Sequence, residues 1–506
     1  MDHILSVDLG TTAIKVALFD AAGRVLAKAT REYTLHTPDT LSVELPVETY
    51  WQAFKSGVAE VLAVSRVKVE SIQALGICAQ GETLIFAGRD GRPLRNAIVW
   101  LDNRAQQEAE ELNREFTPEE TYRITGQVSI VPTWPAAKVL WVQRNEPEVF
   151  AKAAKILLIE DYFIHRLTGE YACEGSLVTS TVYWDMNTRR WWPDMLARLG
   201  LGEEHLPPIR ESGEPVGPIL GEVARELGLA ASTVVCTGAL DQAAGAIGVG
   251  NIRPGVFSEN TGAALAICAT VDHPVLDPKG RMPCHYHAIP GTYMAHTFTT
   301  GGIVLKWYRD TFCQSELHVG ALTGLDAYDL LGLEAARVEP GADGLVVLPH
   351  LQGAMAPEAN PKAKGVFYGI TLRHTQAHFV RAIMEAVACI VRRNIEVVEE
   401  MGIQVSEIRG LGGGSRSAVW NQIKADLTGR PVLTMENEEA ACLGAAIVAG
   451  VGVGLFESLE DACGRMVQVK GRYEPDPAHA AVYSEHYARY VGLYDSLVGM
   501  FANENG

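Results

Sequence analysis

The chain has 506 residues, 47% apolar and 21% charged, with 43 Lys and Arg against 61 Asp and Glu for a formal net charge of −18. This length and composition call for a globular protein of two or more domains and exclude a disordered chain. So large an acid excess repels nucleic-acid phosphates and anionic membranes, so a bound polyanion must meet local backbone N–H groups, a metal or a few placed cations.

From the N-terminus, Ile4–Val7, Val16–Phe19 and Val25–Ala27 read as strands, and no basic leader precedes them. Helical spacing follows over Val47–Val64, then strands at Ala74–Cys78 and Ala97–Trp100. Helix and strand signals keep alternating, which points to α/β layers. Small residues, glycines and a proline near Gly245–Gly255 mark the boundary between two halves, 1–248 and 249–506, and a new strand starts at Val256–Glu259. The longest stretch without charge, Ala440–Phe456, is shorter than the roughly 20 residues of a membrane span and reads as a buried helix. Nine cysteines stand singly with no CxxC pair, which suits a reducing, cytoplasmic setting.

Each half opens with a strand leading into a turn of small residues, and two such halves face to face would put both turns at one cleft. In Asp8-Leu9-Gly10-Thr11-Thr12, Gly10 permits close approach to a ligand and the threonines offer hydroxyls and N–H groups to phosphate. Asp8 could hold Mg²⁺, and Lys15 adds a cation; an ordinary capped hairpin explains the same residues. Asn260-Thr261-Gly262-Ala263-Ala264 repeats this chemistry in the second half. Gly410–Ser415, between a strand near Glu407–Arg409 and a helix at Ser417–Leu427, suits a planar or phosphorylated ligand. No Walker A sequence is present, and Ser415 occupies the third glycine of a dinucleotide fingerprint.

Asp241 stands among small apolar residues in Thr237–Gly245. It reads either as a helix N-cap or as a general base that takes a proton from a substrate hydroxyl. Gln80-Gly81-Glu82-Thr83 and Trp100–Arg104 could line a sugar pocket; a loop cap and core packing are the rival readings for Glu82 and Trp100. Strand alternation puts His285 and His287 on one face, and a structural role suits them better than metal binding.

In order along nearly the whole chain, these segments resemble the FGGY family of carbohydrate kinases. The matching stretches include SVDLGTTAIKVALFD from Ser6, NAIVWLDNRA from Asn96, EDYFIHRLTGEY from Glu160, TGALDQAAGAIGVG from Thr237, GVFYGI from Gly365 and GLGGGSRSAVWNQIKADLTGRPV from Gly410. The resemblance implies two actin-like, ribonuclease-H-like α/β domains with an ATP and sugar cleft between them. It also implies in-line transfer of the ATP γ-phosphoryl to a hydroxyl of a small sugar or polyol. Carried over by position, Asp241 is the catalytic base, Asp8 the Mg²⁺-site acid, and Gly10, Thr11, Thr12 and Lys15 the first phosphate loop. Thr261 and Gly262 form the second loop, Gly413 and Gly414 the adenosine motif, and Gln80, Gly81, Glu82, Asp241 and Gln242 the substrate site.

Departures from the family pattern bear on the acceptor. Xylulose kinases carry Met-His where this chain has Gln80-Gly81, and glycerol kinases carry Arg-Glu at Gly81-Glu82 and a bulky aromatic at Ala264. A pentulose or related ketose or alditol is therefore expected; the alternatives are a glycerol-kinase-like enzyme and a non-kinase actin-like ATPase. The implied partner is a small sugar or polyol, with no nucleic acid or membrane, and a homodimer is the candidate assembly.

Overall fold

A computed structural model describes residues 2–503. Strands β1 (His3–Leu9), β2 (Ala13–Asp20), β3 (Val25–Glu32), β4 (Ile72–Ala79), β5 (Pro215–Pro218), β6 (Val234–Cys236) and β7 (Ala239–Leu240) form one seven-stranded sheet. Their order is β5-β6-β4-β1-β2-β3, with β7 also paired to β4. Ile4, Leu5, Val7 and Leu9 of β1 are all buried, as a central strand covered on both faces requires.

A second sheet holds β8 (Gly255–Thr261), β9 (Ala264–Val271), β10 (Cys284–Tyr286), β11 (Tyr293–Thr300), β12 (Val405–Leu411), β13 (Val432–Met435) and β14 (Val469–Tyr473). Its order is β10-β11-β9-β8-β12-β13-β14. The two sheets repeat one pattern. β1 runs antiparallel to β2 and parallel to β4, as β8 does to β9 and β12. The last residue pairs are Leu9 with Ile14 and Thr261 with Leu265, so Gly10 and Gly262 open equivalent turns. Both strands run one or two residues beyond the apolar cores from which they are expected, because ladder pairing extends into the polar ends.

Five helices matter for the site: α1 (Val47–Ser65), α2 (Asp241–Gly248), α3 (Gln376–Glu400), α4 (Ala418–Thr428) and α5 (Ala440–Gly452). α1 covers β2 and β3, and α3 packs on α4. The uncharged stretch after Glu439 is α5, and nearly every residue from Ala440 to Gly450 is buried. Although it lies between β13 and β14 of the second sheet in sequence, α5 packs against α2, β1 and β4 of the first half. Among the described residues, no helix is long and apolar enough to cross a membrane. All nine cysteines are buried and unpaired.

Glycine makes the seam possible. A Cβ added to Gly444 would lie 1.8 Å from the Ala244 carbonyl oxygen, and one on Gly248 1.9 Å from that of Ala440. Neither backbone can yield without moving a whole helix. Gly444→Ala is therefore expected to destabilise the protein by about 1–3 kcal/mol through overpacking. Gly464→Ala, where an added Cβ meets nothing within 4 Å, is the control and should leave the midpoint of chemical denaturation nearly unchanged.

Candidate active site

The β1–β2 turn and the start of α2 meet at the floor of a cleft between the two sheets. A cavity of about 740 Å³ there is lined by Thr11, Gln80, Gly81, Glu82, Trp100, Asp241 and Gln242 from the first half and by Ala264, Ala266 and Phe298 from the second. A second cavity of about 290 Å³ is lined by Thr261, Gly262, Ala263, Gly413, Gly414 and Trp420. The turn after β8 is the partition: residues 261–263 face the smaller cavity and Ala264 faces the larger. Two of its carbonyl oxygens are already engaged: Gly262 O accepts from Gly302 N at 2.8 Å and Ala263 O from Ile303 N at 3.0 Å.

Asp241 is the first residue of α2, and Leu240 holds the N-cap position without a side-chain cap bond. The carboxyl thus belongs to the first helical position rather than to the N-cap, and it lines the cavity. Enclosure at the cleft floor, reinforced by the charge of Asp8, pushes its pKa up to about 7. Asp8, near the end of β1, is pushed up to about 6 by the same enclosure, against the pull of Lys15. Two carboxyl groups thus share one poorly solvated floor.

Several expected contacts are redirected. Lys15 pairs with Glu439 at 3.2 Å, and Lys28 joins the same carboxylate at 2.9 Å, so the amine ties the first sheet to the start of α5. Lys15 instead lines a separate groove beside Gly410–Ser415. Gln80 donates to the Gly10 carbonyl at 3.2 Å and lies 3.2 Å from the Tyr50 hydroxyl, and the Tyr33 hydroxyl also donates to Gly10 O. Gln80 therefore braces the first turn as well as lining the cavity. Thr12 is exposed and the carbonyl of Thr12 accepts from Tyr33 N. Trp100 is not core filler: its indole N–H donates to the Thr11 hydroxyl at 2.8 Å. Its ring meets Phe298 across the cleft with centroids 6.1 Å apart.

Beside Glu82, the larger cavity is lined by Gln127, Ser180 and His285, which sequence reading did not assign to it. Glu82 is buried, and burial drives its carboxyl up to about 8, with the Ser180 hydroxyl and Lys138 opposing. Lys138 is fully buried, pushed down to about 7 by burial, and donates to the Val99 and Trp100 carbonyls at 3.0 and 3.1 Å. It thereby fixes the backbone that carries Trp100. A lysine flanked by Ala136-Ala137 and Val139-Leu140 was the available signal. His285 faces this cavity, 3.4 Å from the Ser180 hydroxyl and 3.4 Å from the Gln127 amide nitrogen. Burial holds His285 well below the usual histidine range and His287 down to about 3, so both are neutral at pH 7. Among the described residues, no group of three or more His, Cys, Asp or Glu is arranged to hold a metal.

In the smaller cavity, Trp420, Tyr328 and Met384 stand opposite the two glycine-bearing turns, an apolar slot of the kind a planar base enters. Gly413 and Gly414 begin the short turn Gly413–Arg416, and a Cβ on Gly414 would lie 2.5 Å from Thr261 Cγ2. The two turns thus touch.

Comparison with known proteins agrees with this architecture. Residues 3–248 match the N-terminal domain of the FGGY family of carbohydrate kinases, and residues 261–453 match its C-terminal domain. The chain is 31% identical over 510 residues to autoinducer-2 kinase of Yersinia pseudotuberculosis serotype O:3 (strain YPIII), covering 99% of this chain and 95% of that one. Among solved structures, ligand-bound xylulose kinase from Lactobacillus acidophilus superposes with a TM-score of 0.90 at 27% identity, covering 99% of both chains. Gluconate kinase from the same organism gives a TM-score of 0.89 at 27% identity, again covering 99% of both chains. With two adjoining cavities in the cleft and family matches that span both halves, the chain belongs to the FGGY family of carbohydrate kinases.

Proposed function

We propose that this kinase transfers the γ-phosphoryl of ATP to a hydroxyl of an uncharged pentulose or related ketose or alditol, with Asp241 as general base. The observation that carries the reading is the partition: one turn separates a glycine-lined cavity from a larger one that contains Asp241. A donor in the first and an alcohol in the second would meet across Thr261–Ala264. We infer a division of labour at about residue 248, the first half binding the acceptor and the second the nucleotide.

The acceptor side supports an uncharged substrate. Glu82, Gln127, Ser180, His285 and Gln242 supply donors and acceptors, and Trp100 and Phe298 supply apolar faces for the C–H side of a sugar. The two cations at this cavity are already occupied: Arg281 pairs with Asp277 at 2.8 Å and with Glu400 at 2.9 Å, and Lys279 pairs with Glu400 at 3.1 Å. A sugar acid would find no free countercharge in them. Gly81 lies against Leu240, and Ala264 in place of a bulky side chain leaves space beyond that needed by glycerol. A nucleotide-driven assembly ATPase would have no use for this larger cavity.

The donor set at the floor fits Mg²⁺. Asp8 is an enclosed carboxyl group whose neighbouring cation, Lys15, is held by Glu439. One or two carboxylates completed by phosphate oxygens is the usual Mg²⁺ shell. When bound, the ion would neutralise charge on the transferring phosphates. Asp241 takes the hydroxyl proton, Thr11 and the turn amides orient phosphate oxygens, and the Trp100–Phe298 contact narrows the cleft against water.

Two outcomes test the assignment. A coupled ADP-release screen over pentuloses, hexuloses, pentitols, tetritols, glycerol and gluconate should find turnover with a neutral member, and turnover with gluconate alone would refute the uncharged-acceptor reading. Asp241→Asn should lower kcat by about 10²–10⁴-fold while ADP still binds; near-normal turnover would remove Asp241 from the base role.

The pH dependence follows from the same carboxyl. The base works deprotonated, so kcat/KM should rise with pH through about 7 in the free enzyme. Asp8 raises that value by charge, so Asp8→Asn should move the limb of its residual activity to lower pH and raise the Mg²⁺ concentration needed for half-maximal turnover. An unshifted limb would show that the two carboxyl groups do not interact.

A further inference from the structure

Directly behind the partition turn, Glu259 on β8 and Lys424 on α4 form an ion pair from which solvent is wholly excluded, with Nζ 2.5 Å from Oε1. Lys424 Nζ also donates to the Thr261 hydroxyl oxygen at 3.0 Å, and that hydroxyl donates to the other Glu259 oxygen. The ammonium stands 5.2 Å from the centroid of the Trp420 ring. The three polar groups thus satisfy one another in a closed circuit, which leaves the Thr261 hydroxyl no proton for a phosphate.

The fold does not need charges at this place. By strand register, Glu259 and Thr261 correspond to Val7 and Leu9 of the first sheet, both buried and apolar, and among the described residues no ion pair lies beneath the turn after Leu9. Well-packed apolar side chains commonly replace a buried ion pair without loss of stability. The polar circuit therefore calls for a reason other than folding. Its position supplies one, because Thr261 Cγ2 is the surface on which Gly414 closes and a Cβ at Gly412 would lie 2.4 Å from Asn260 Oδ1. The Thr261 rotamer sets how near the two glycine-bearing turns of the smaller cavity approach each other.

We propose that Lys424 and Glu259 are positioning residues for the nucleotide's phosphates, acting by locking the Thr261 side chain so that the 261–264 turn is pre-set before the donor arrives. Phosphate is then met by the Ala263 backbone N–H of the turn rather than by the Thr261 hydroxyl, since the Gly262 N–H already donates to Asn260 O and Ala264 O at 3.1 and 2.9 Å. This inference rests on the nucleotide reading of the smaller cavity. A pre-set turn binds more tightly because ordering is not left to the binding step.

The full-length protein decides the matter by calorimetric titration with ADP and by steady-state kinetics. Lys424→Met combined with Glu259→Leu removes both charges and leaves no unpaired ion. It should melt within a few degrees of the wild type, yet weaken ADP binding by about tenfold or more, the usual loss when a supporting partner is removed. The KM for the acceptor should stay within about twofold. Thr261→Val should weaken ADP binding alike, and adding it to the double variant should cost little more, since the three act as one unit. A folded double variant with wild-type ADP affinity overturns the proposal; so does Thr261→Val with wild-type affinity should the double variant fail to fold. Wild-type protein that binds no ADP would instead overturn the nucleotide reading itself.

Discussion

The backbone contact between α2 and α5 is the constraint from which the site's geometry follows. With glycine at 248 and 444, the helices approach until the backbone of one touches that of the other. α2 begins with Asp241, so this contact sets how far the carboxyl reaches into the cleft. α5 starts just after Glu439, which holds Lys15 and Lys28 of the first sheet. One seam of small residues therefore carries the proposed base at one end and an interdomain ion-pair cluster at the other. A side chain inserted there would move both.

Electrostatics in the cleft run against the protein's overall charge. The chain carries −18, and the cleft floor adds Asp8, Asp241 and Glu82, all pushed up by enclosure. Nearby lysines do not offset this freely: Lys15 belongs to Glu439, and Lys138 is spent on two carbonyl oxygens. Such a floor resists ionisation until something cationic arrives; on the nucleotide reading, phosphate would meet turn amides together with Lys306 and Arg416, which line the smaller cavity. On the proposed reading, proton uptake and donor binding would be coupled through the same few residues.

Much of this was legible in the sequence because it depends on local pattern. Short apolar runs marked β1 and β8, glycine between strand ends marked their turns, and a helix signal after Gly410–Ser415 marked α4. The Asp8, Asp241, Thr261 and Gly413–Gly414 positions all fall at the cleft. Contacts set by long-range pairing were not legible. Lys15 stands beside phosphate-loop residues in sequence, but Glu439, more than 400 residues away, holds its amine. Gln80 reads as a sugar ligand, although its amide also braces Gly10. His285 reads as structural, yet β10 brings it to the larger cavity beside Ser180. Lys424 and Glu259 give no signal in sequence beyond a charge in an apolar neighbourhood.

By itself the sequence determined the element types, the two-halved layout, the turns able to approach a phosphate and the family. Each of these is encoded within a few neighbouring residues, where side-chain size, hydrogen-bonding capacity and backbone freedom act directly. Only the tertiary structure decided which cations are free, which carboxyl groups lose their solvation, and that one turn separates two cavities. Those properties depend on the distances and the exclusion of water created when residues far apart in the chain are packed together, and no local pattern carries that information.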